Sequence, residues 1–329
     1  EKTDFKLDEQ PYSSLFKIYQ KEFLEISVSA GLIHADSLAL AGDGTPVVTS
    51  HRERKKRICN CKENGIHDCN CDRYFSQPDC DIGWDSSRDC YYHGYDLYML
   101  VDSQSDLPVF PHFSCASKHD SHGFLHAFFR MKSFLPEYSV SKVLLDAAHD
   151  AMPYYQYFKR KNITPFIDLN GKGGRPPVYK NDFTIDKDGV PICPSGFRMR
   201  RDGVEVAKGR MKFKCPKISH AGGCISCTCE TPCSNAKYGR TVHLVLKDNP
   251  RLFNNPPRSS KEWKLEYNAR TSAERSNKRE KLDFKLEDGR HRSTKMWYCR
   301  LYHILMLQHL DAWDLPPEST LKKMILDAA

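Results

Sequence analysis

Apolar positions along the chain recur in two periods, separated by stretches with neither. Residues 12–32 set Leu15, Ile18, Phe23 and Ile26 at the spacing of an amphipathic helix. Residues 38–48 (LALAGDGTPVV) predict a short buried strand running into a tight turn at Asp43-Gly44. Residues 95–101 and 107–114 predict a hairpin across a polar turn at 103–106. A helix is expected over 119–135, with Leu125, Phe128, Phe129 and Met131 inward. Then come a buried strand (141–146), a helix rich in Tyr and Phe (152–161) and a fifth strand (164–169). One more strand (241–246) and two helices (263–284 and 294–313) close the pattern, with no internal repeat.

Strand, strand, strand, helix, strand, helix, strand, then helices is the order of a ribonuclease H-like fold. The expected class is α/β: a ribonuclease H-like mixed sheet flanked by helices, interrupted by two Cys-rich insertions. The segments expected are an N-terminal helical part (1–34), a core in two pieces (35–50 with 93–170, and 239–315), insertions at 51–92 and 171–238, and a tail at 316–329.

The chain has 329 residues, of which 40% are hydrophobic and 28% charged, enough to build a sizeable core under a polar surface. No stretch approaches the roughly 18 apolar residues of a membrane span. The chain opens on polar residues with neither a signal sequence nor an initiator Met, so an upstream segment is expected. The net charge is +8, and it is clustered. Residues 251–300 carry 14 Lys/Arg against 7 Asp/Glu, and 198–217 carry eight basic residues against two acidic. The run 51–57 (HRERKKR) adds Arg52, Arg54, Lys55, Lys56 and Arg57 against one acid. Three separated basic patches point to a long polyanion as partner.

Charged residues at the ends of buried strands are costly unless paired or bound to metal. Asp43 ends the first strand between two glycines, and Asp146 ends the fourth after Val143-Leu-Leu145. In the expected topology those strands are neighbours, so the two acids meet at one edge. Asp168, ending the fifth strand, is the rival on that edge. Asp150 lies one turn beyond Asp146, and Asp102 falls at the opposite edge. Further on, Tyr267, Arg270, Glu274, Lys278 and Lys281 fall within an arc of about 80° on a continuous helix. The plain reading of that stripe is a surface ladder of i,i+4 ion pairs.

Tyr267-x2-Arg270-x3-Glu274-x6-Lys281, preceded by Asp43 and Asp146 in order, resembles the Y-R-E-K signature of bacterial insertion-sequence transposases of the DDE type. The resemblance covers roughly residues 35–310. It implies that Asp43, Asp146 and Glu274 form a catalytic triad holding two Mg²⁺ (or Mn²⁺) ions. It also implies that Tyr267, Arg270 and Lys281 contact phosphates, and Lys278 shares their stripe. The implied partners are double-stranded DNA, as transposon ends and target, and a second copy of the chain in a synaptic homodimer. The implied setting is the bacterial cytoplasm, at the nucleoid. The sequence departs from the family's Asp-Arg-Gly-Tyr-like run, with Ala147-Ala-His149-Asp150 after the second Asp. A DNA-binding descendant that no longer transposes and a zinc-containing nucleic-acid-binding protein are the alternatives.

Fourteen cysteines, six of them in 59–90 and five in 215–233, favour metal over disulfides in a chain without a secretion signal. Cys59, Cys61, Cys69 and Cys71 are Zn²⁺ candidates, with His67, Cys80 and Cys90 as further ligands. A second pool is Cys193, Cys215, Cys224, Cys227 and Cys233, with His220 nearby, while Cys115 and Cys299 are expected in the core.

Overall fold

The computed structural model describes residues 12–49, 56–57, 59–71, 73–74, 80–170, 183–186, 188–219, 226–227, 229–230, 232–236, 238–247 and 249–314. Arg52, Arg54, Lys55, His220 and Cys224 lie outside the described residues. The helices are α1 (Ser13–Tyr19), α2 (Glu25–Ser29), α3 (Asp120–Phe134), α4 (Met152–Arg160), α5 (Lys261–Asn268), α6 (Thr271–Lys278) and α7 (Thr294–Asp314). The first eight strands are β1 (Leu38–Val48), β2 (Lys56–Arg57), β3 (Arg73–Tyr74), β4 (Asp81–Asp85), β5 (Cys90–Asp102), β6 (Pro108–Cys115), β7 (Val140–Leu145) and β8 (Thr164–Ile167). After them come β9 (Thr184–Ile185), β10 (Pro191–Ile192), β11 (Arg200–Glu205), β12 (Arg210–Lys214), β13 (Ile218–Ser219), β14 (Ser226–Cys227) and β15 (Thr241–Val245). The architecture is mixed α/β, in two compact units: residues 1–144 with 269–329, and residues 145–268.

In the first unit β1 is the spine. It runs antiparallel to β5 from Leu40↔Asp102 to Val48↔Gly94, and parallel to β7 from Leu38↔Val140 to Ala41↔Leu144. On its other side β5 pairs antiparallel with β6. A Cβ on Gly94 would sit 1.9 Å from the carbonyl oxygen of Val47, so only glycine lets the two backbones close there. Leu97 to Val101 are fully buried without alternation, the mark of a strand covered on both faces. Helices α3 and α6 both pack against β5 and β1, and α7 packs against β6.

The first and last helical segments meet through a buried polar cluster. His309 Nε2 lies 2.9 Å from Tyr19 Oη and 3.0 Å from the Pro108 carbonyl oxygen, and Nδ1 lies 2.7 Å from Ser27 Oγ. Trp313 Nε1 donates to the same Ser27 hydroxyl at 2.8 Å. Burial pushes the His309 imidazole down to about 4, so it stays neutral and its polar contacts are made without a buried charge.

Several elements differ from the sequence expectation for identifiable reasons. The first helix contains a π turn at Gln20–Leu24. That extra residue rotates the helix, so Phe16, Tyr19 and Leu24 are buried while Ile18 and Ile26 are exposed. In α3 the inward face is Phe124, Ala127, Phe128 and Met131, leaving Leu125 and Phe129 exposed. Residues 81–85 and 90–92, expected to be irregular, extend the sheet as β4 paired with the start of β5. An edge-to-face Trp84–Tyr91 pair stands across that ladder, ring centroids 4.9 Å apart.

The second unit has its own core of Phe183, Ile185, Val190, Met211, Phe213, Leu244 and their neighbours, over a three-stranded sheet in the order β11-β12-β15. Residues 241–245, expected with the second piece of the core, are the edge of this sheet. The predicted helix 263–284 is interrupted at 269–270, where α5 gives way to α6, and again by a π turn at Arg279–Asp283.

That π turn places Glu280 fully inside, with Oε1 3.3 Å from Ser276 Oγ and Oε2 without a hydrogen-bond partner. Burial pushes its carboxyl up to about 8. A folded value above the unfolded one, near 4.3, adds stability that is complete below about pH 4 and is lost as pH rises towards 8. Glu280→Gln is therefore expected to raise Tm at pH 9 and to change it little at pH 5, as followed by thermal melts across that range. An equal shift at both ends would show that the acid is not held neutral.

Candidate functional site

Asp43 lies within β1, opposite Met99 of β5, and is partly buried. Two further carboxylates close over the next residue. The position that a Cβ on Gly44 would occupy is 2.9 Å from Asp120 Oδ1 and 3.2 Å from Asp96 Oδ1. Asp96 comes from the buried stretch of β5 and Asp120 from the first turn of α3, so three elements deliver acids to one point. Burial, then Asp120, then Asp43 push the Asp96 carboxyl well above the usual range. Asp96 Oδ2 has no hydrogen-bond partner among the described residues.

Helix α6 reaches this acidic nest because its inner face is small: Ser272, Ala273 and Ser276 are fully buried. Asn277, on the same face, donates from Nδ2 to Asp43 Oδ2 at 3.3 Å, and its own Oδ1 is buried without a partner. Glu274 lies further round the helix, about half exposed, with Oε1 2.6 Å from Arg270. Lys278 is exposed. Lys281 is turned inward by the π turn, donates to the Pro46 carbonyl at 2.8 Å and lies 3.3 Å from Glu287. Tyr267 belongs to the other unit, where it stacks on Trp263 at 4.5 Å. The five residues therefore do not form one stripe on an unbroken helix, because the interruption at 269–270 and the π turn change their azimuths.

Glu287 went unnoticed in the sequence and is a junction. Its Oε1 accepts from the Val48 amide at 2.9 Å and its Oε2 from Arg88 at 3.0 Å. Asp96, Asp120 and Asn277 were also missed. Asn277 had a legible signal, standing one turn after Glu274. Asp96 had none, sitting at an inward position of a strand whose pattern called for an apolar side chain.

Asp146 caps the short turn after β7. Its Oδ1 accepts from the Ala148 amide at 3.1 Å and lies 2.6 Å from Nδ1 of the buried His149. The two competing acids resolve differently. Asp168 is exposed and accepts from the next amide, Leu169, at 2.9 Å. Asp150 is fully enclosed: Arg251 Nε donates to both of its oxygens at 2.8 and 2.9 Å, with Tyr155 Oη at 3.0 Å and the Asn170 amide at 2.8 Å. The buried Arg258 extends the network to Tyr155, Asn254 and the Ile167 carbonyl. Asp150 thus anchors its unit.

Cys59, Cys61, Cys69 and Cys71 bring their four Sγ atoms within 4.8 Å of one another, an arrangement that could bind a structural metal such as zinc. The Cys61 backbone, then the Cys69 thiol, pull the Cys59 thiol down to about 7. The hydrogen bond with Cys71, then that with Cys59, push Cys61 up to about 12. The other candidates stand apart. Cys80 is buried 3.8 Å from Thr49 Oγ1, and Cys90 is exposed on β5. Cys193 sits in the apolar core of the second unit, Cys215 is buried and Cys233 half-buried. Cys227 lies in β14, with its side chain outside the description. Cys115 and Cys299, expected in the core, are half-buried. Among the described residues no second group of thiols converges. No helix among them is long and apolar enough to cross a membrane.

A scan against protein-family models gives no match, and a search of curated proteins gives none either.

Removing one partner of a buried ion pair strands the other and costs about 3–5 kcal/mol. Asp150→Ala, which leaves Arg251 unpaired, is expected to lower the unfolding free energy by about that much in urea titrations. Asp168→Ala is expected to stay within about 0.5 kcal/mol, as surface changes do. Equal effects would overturn the division of roles between the two acids.

Proposed function

We propose that the chain is a DDE-type transposase, cutting transposon-end DNA in a metal-dependent reaction and joining the freed 3′-hydroxyl to target DNA. The observation that carries the reading is Asp43 on the central strand, with the R-x3-E-x6-K helix laid against that strand and Asn277 bonded to Asp43. A ribonuclease H-like sheet is supported by the meander β1-β5-β6 and by β7 joining β1 in parallel. The β1–β7 register ends at Ala41↔Leu144, and Asp43 and Asp146 each stand two residues further along their segments.

Asp43, Asp146 and Glu274 are the proposed ligands of two Mg²⁺ or Mn²⁺ ions. The donor set around Asp43 suits such hard cations, being carboxylate and amide oxygens. Asp96 Oδ2 and Asn277 Oδ1, buried acceptors without donors, show the same excess of acceptors. When bound, the ions clamp the attacking and leaving oxygens of an in-line phosphoryl displacement.

The protein's own groups supply the rest. Asn277 orients Asp43, and Gly44 keeps the backbone beside it free of a side chain. Arg270 and Lys278 offer positive charge to DNA phosphates. A phosphate that draws Arg270 away also frees the Glu274 carboxylate from its ion pair. Lys281, tied to Pro46, pins the helix beside β1. The partner is double-stranded DNA, engaged by two copies of the chain at paired ends in the bacterial cytoplasm. The Arg270–Glu274 pair favours one other reading, a descendant that binds DNA without cutting it.

Incubation with DNA carrying the element's own ends and Mg²⁺, with mapping of nicks, separates the two readings. Asp43→Asn, Asp146→Asn and Glu274→Gln are each expected to cut cleavage about a hundredfold or more, the effect of losing several kcal/mol of charge stabilisation. End binding, carried mainly by phosphate contacts, is expected to persist. If Asp168→Asn stops cleavage and Asp146→Asn does not, the second ligand is misplaced. Binding without cleavage by the unaltered protein would favour the descendant.

A further inference from the structure

The segment 59–71 has no core. None of its residues is buried, and Ile66, its one aliphatic side chain, is half exposed. Its base is a two-pair ladder, Lys56↔Tyr74 and Arg57↔Arg73. Three backbone hydrogen bonds lie within it, from Asn64 to Asn60, Gly65 to Lys62 and Ile66 to Cys61. An isolated hairpin of this kind is marginal in water.

Yet its four thiols converge. Cys59 and Cys69 are 3.4 Å apart at sulfur, Cys61 and Cys71 are 3.6 Å apart, and all four lie within 4.8 Å. A disulfide requires about 2.05 Å, so neither pair is one. A tetrahedral ion with Zn–S bonds of about 2.3 Å places its sulfurs about 3.8 Å from one another. The observed separations are close to that edge length. An iron–sulfur cluster would spread its thiolates around a core of several atoms, for which this spacing leaves no room.

We propose that Cys59, Cys61, Cys69 and Cys71 together hold one Zn²⁺ ion, and that this ion takes the place of a hydrophobic core in the segment 56–74. The ligand set is complete at four thiolates, so His67, Cys80 and Cys90 take no part and no coordination position is left for chemistry. On binding, the four thiols release their protons to solvent, giving a centre of net charge −2. The Arg57↔Arg73 register pair places positive charge at the base of the segment, where it complements that centre. The site stands or falls independently of the transposase reading.

The test uses the full chain purified under reductant without chelator. Metal analysis is expected to find zinc, with one ion per chain missing from the Cys59→Ser/Cys71→Ser variant and retained in Cys215→Ser. Replacing zinc by Co²⁺ in the unaltered protein is expected to give the visible bands of a tetrahedral site and thiolate-to-cobalt charge transfer. That measurement holds even if the double variant folds poorly. Stripping the metal is expected to open new proteolytic cuts within 59–71. An unchanged zinc content in the double variant, iron in place of zinc, or two disulfides persisting under reductant would each overturn the proposal.

Discussion

The first unit depends on keeping a carboxylate within the ladder of its central strand. β1 is buried from Leu38 to Gly42 and then carries Asp43, with Asp96 and Asp120 closing over the following residue. Desolvation and mutual repulsion both act against three acids so placed. The surroundings limit the cost by geometry. Gly44 gives up a side chain, Asn277 supplies a donor, and Asp96 is held towards its neutral form. The small face of α6 follows from the same constraint, since a bulkier helix would hold Asn277 away from Asp43.

Polar burial is solved differently elsewhere. The His309 cluster and the Asp150–Arg251–Arg258 network pair nearly every donor with an acceptor. Such fully connected networks fix one arrangement of their elements. The nest around Asp43 instead keeps unsatisfied acceptors, at Asp96 and Asn277. Satisfied networks hold a fold in place, and an excess of one sign is what a ligand of the other sign can meet.

Much of the frame was legible in the sequence. Residues 38–48, 95–101 and 107–114 read as strands because β-branched and aromatic runs end at Gly, Pro and Asp, and Asp43 stood out as a charge where none should be buried. The Cys59–Cys71 group was legible from spacing alone, although its separation from Cys80 and Cys90 was not. The π turns at Gln20–Leu24 and Arg279–Asp283 were hidden, since one added residue in a helix leaves composition untouched while turning every later side chain. That is why Ile18 and Lys281 face the opposite way from the expectation. Asp96 was hidden for another reason: its role comes from residues 24 and 53 positions away in the chain, which only the folded sheet and helix bring near.

The first unit is discontinuous, and that sets the order in which the molecule can be made. The strands β1 to β7 leave the ribosome before the helices that cover them. α6 and α7 follow only after all of residues 145–268 have been synthesised. At about 5–20 residues per second the delay is on the order of ten seconds. Through that interval the emerging sheet carries an apolar face still waiting for its cover, so a holding chaperone or a slow ribosome would matter more to this chain than to one whose covering helices come early.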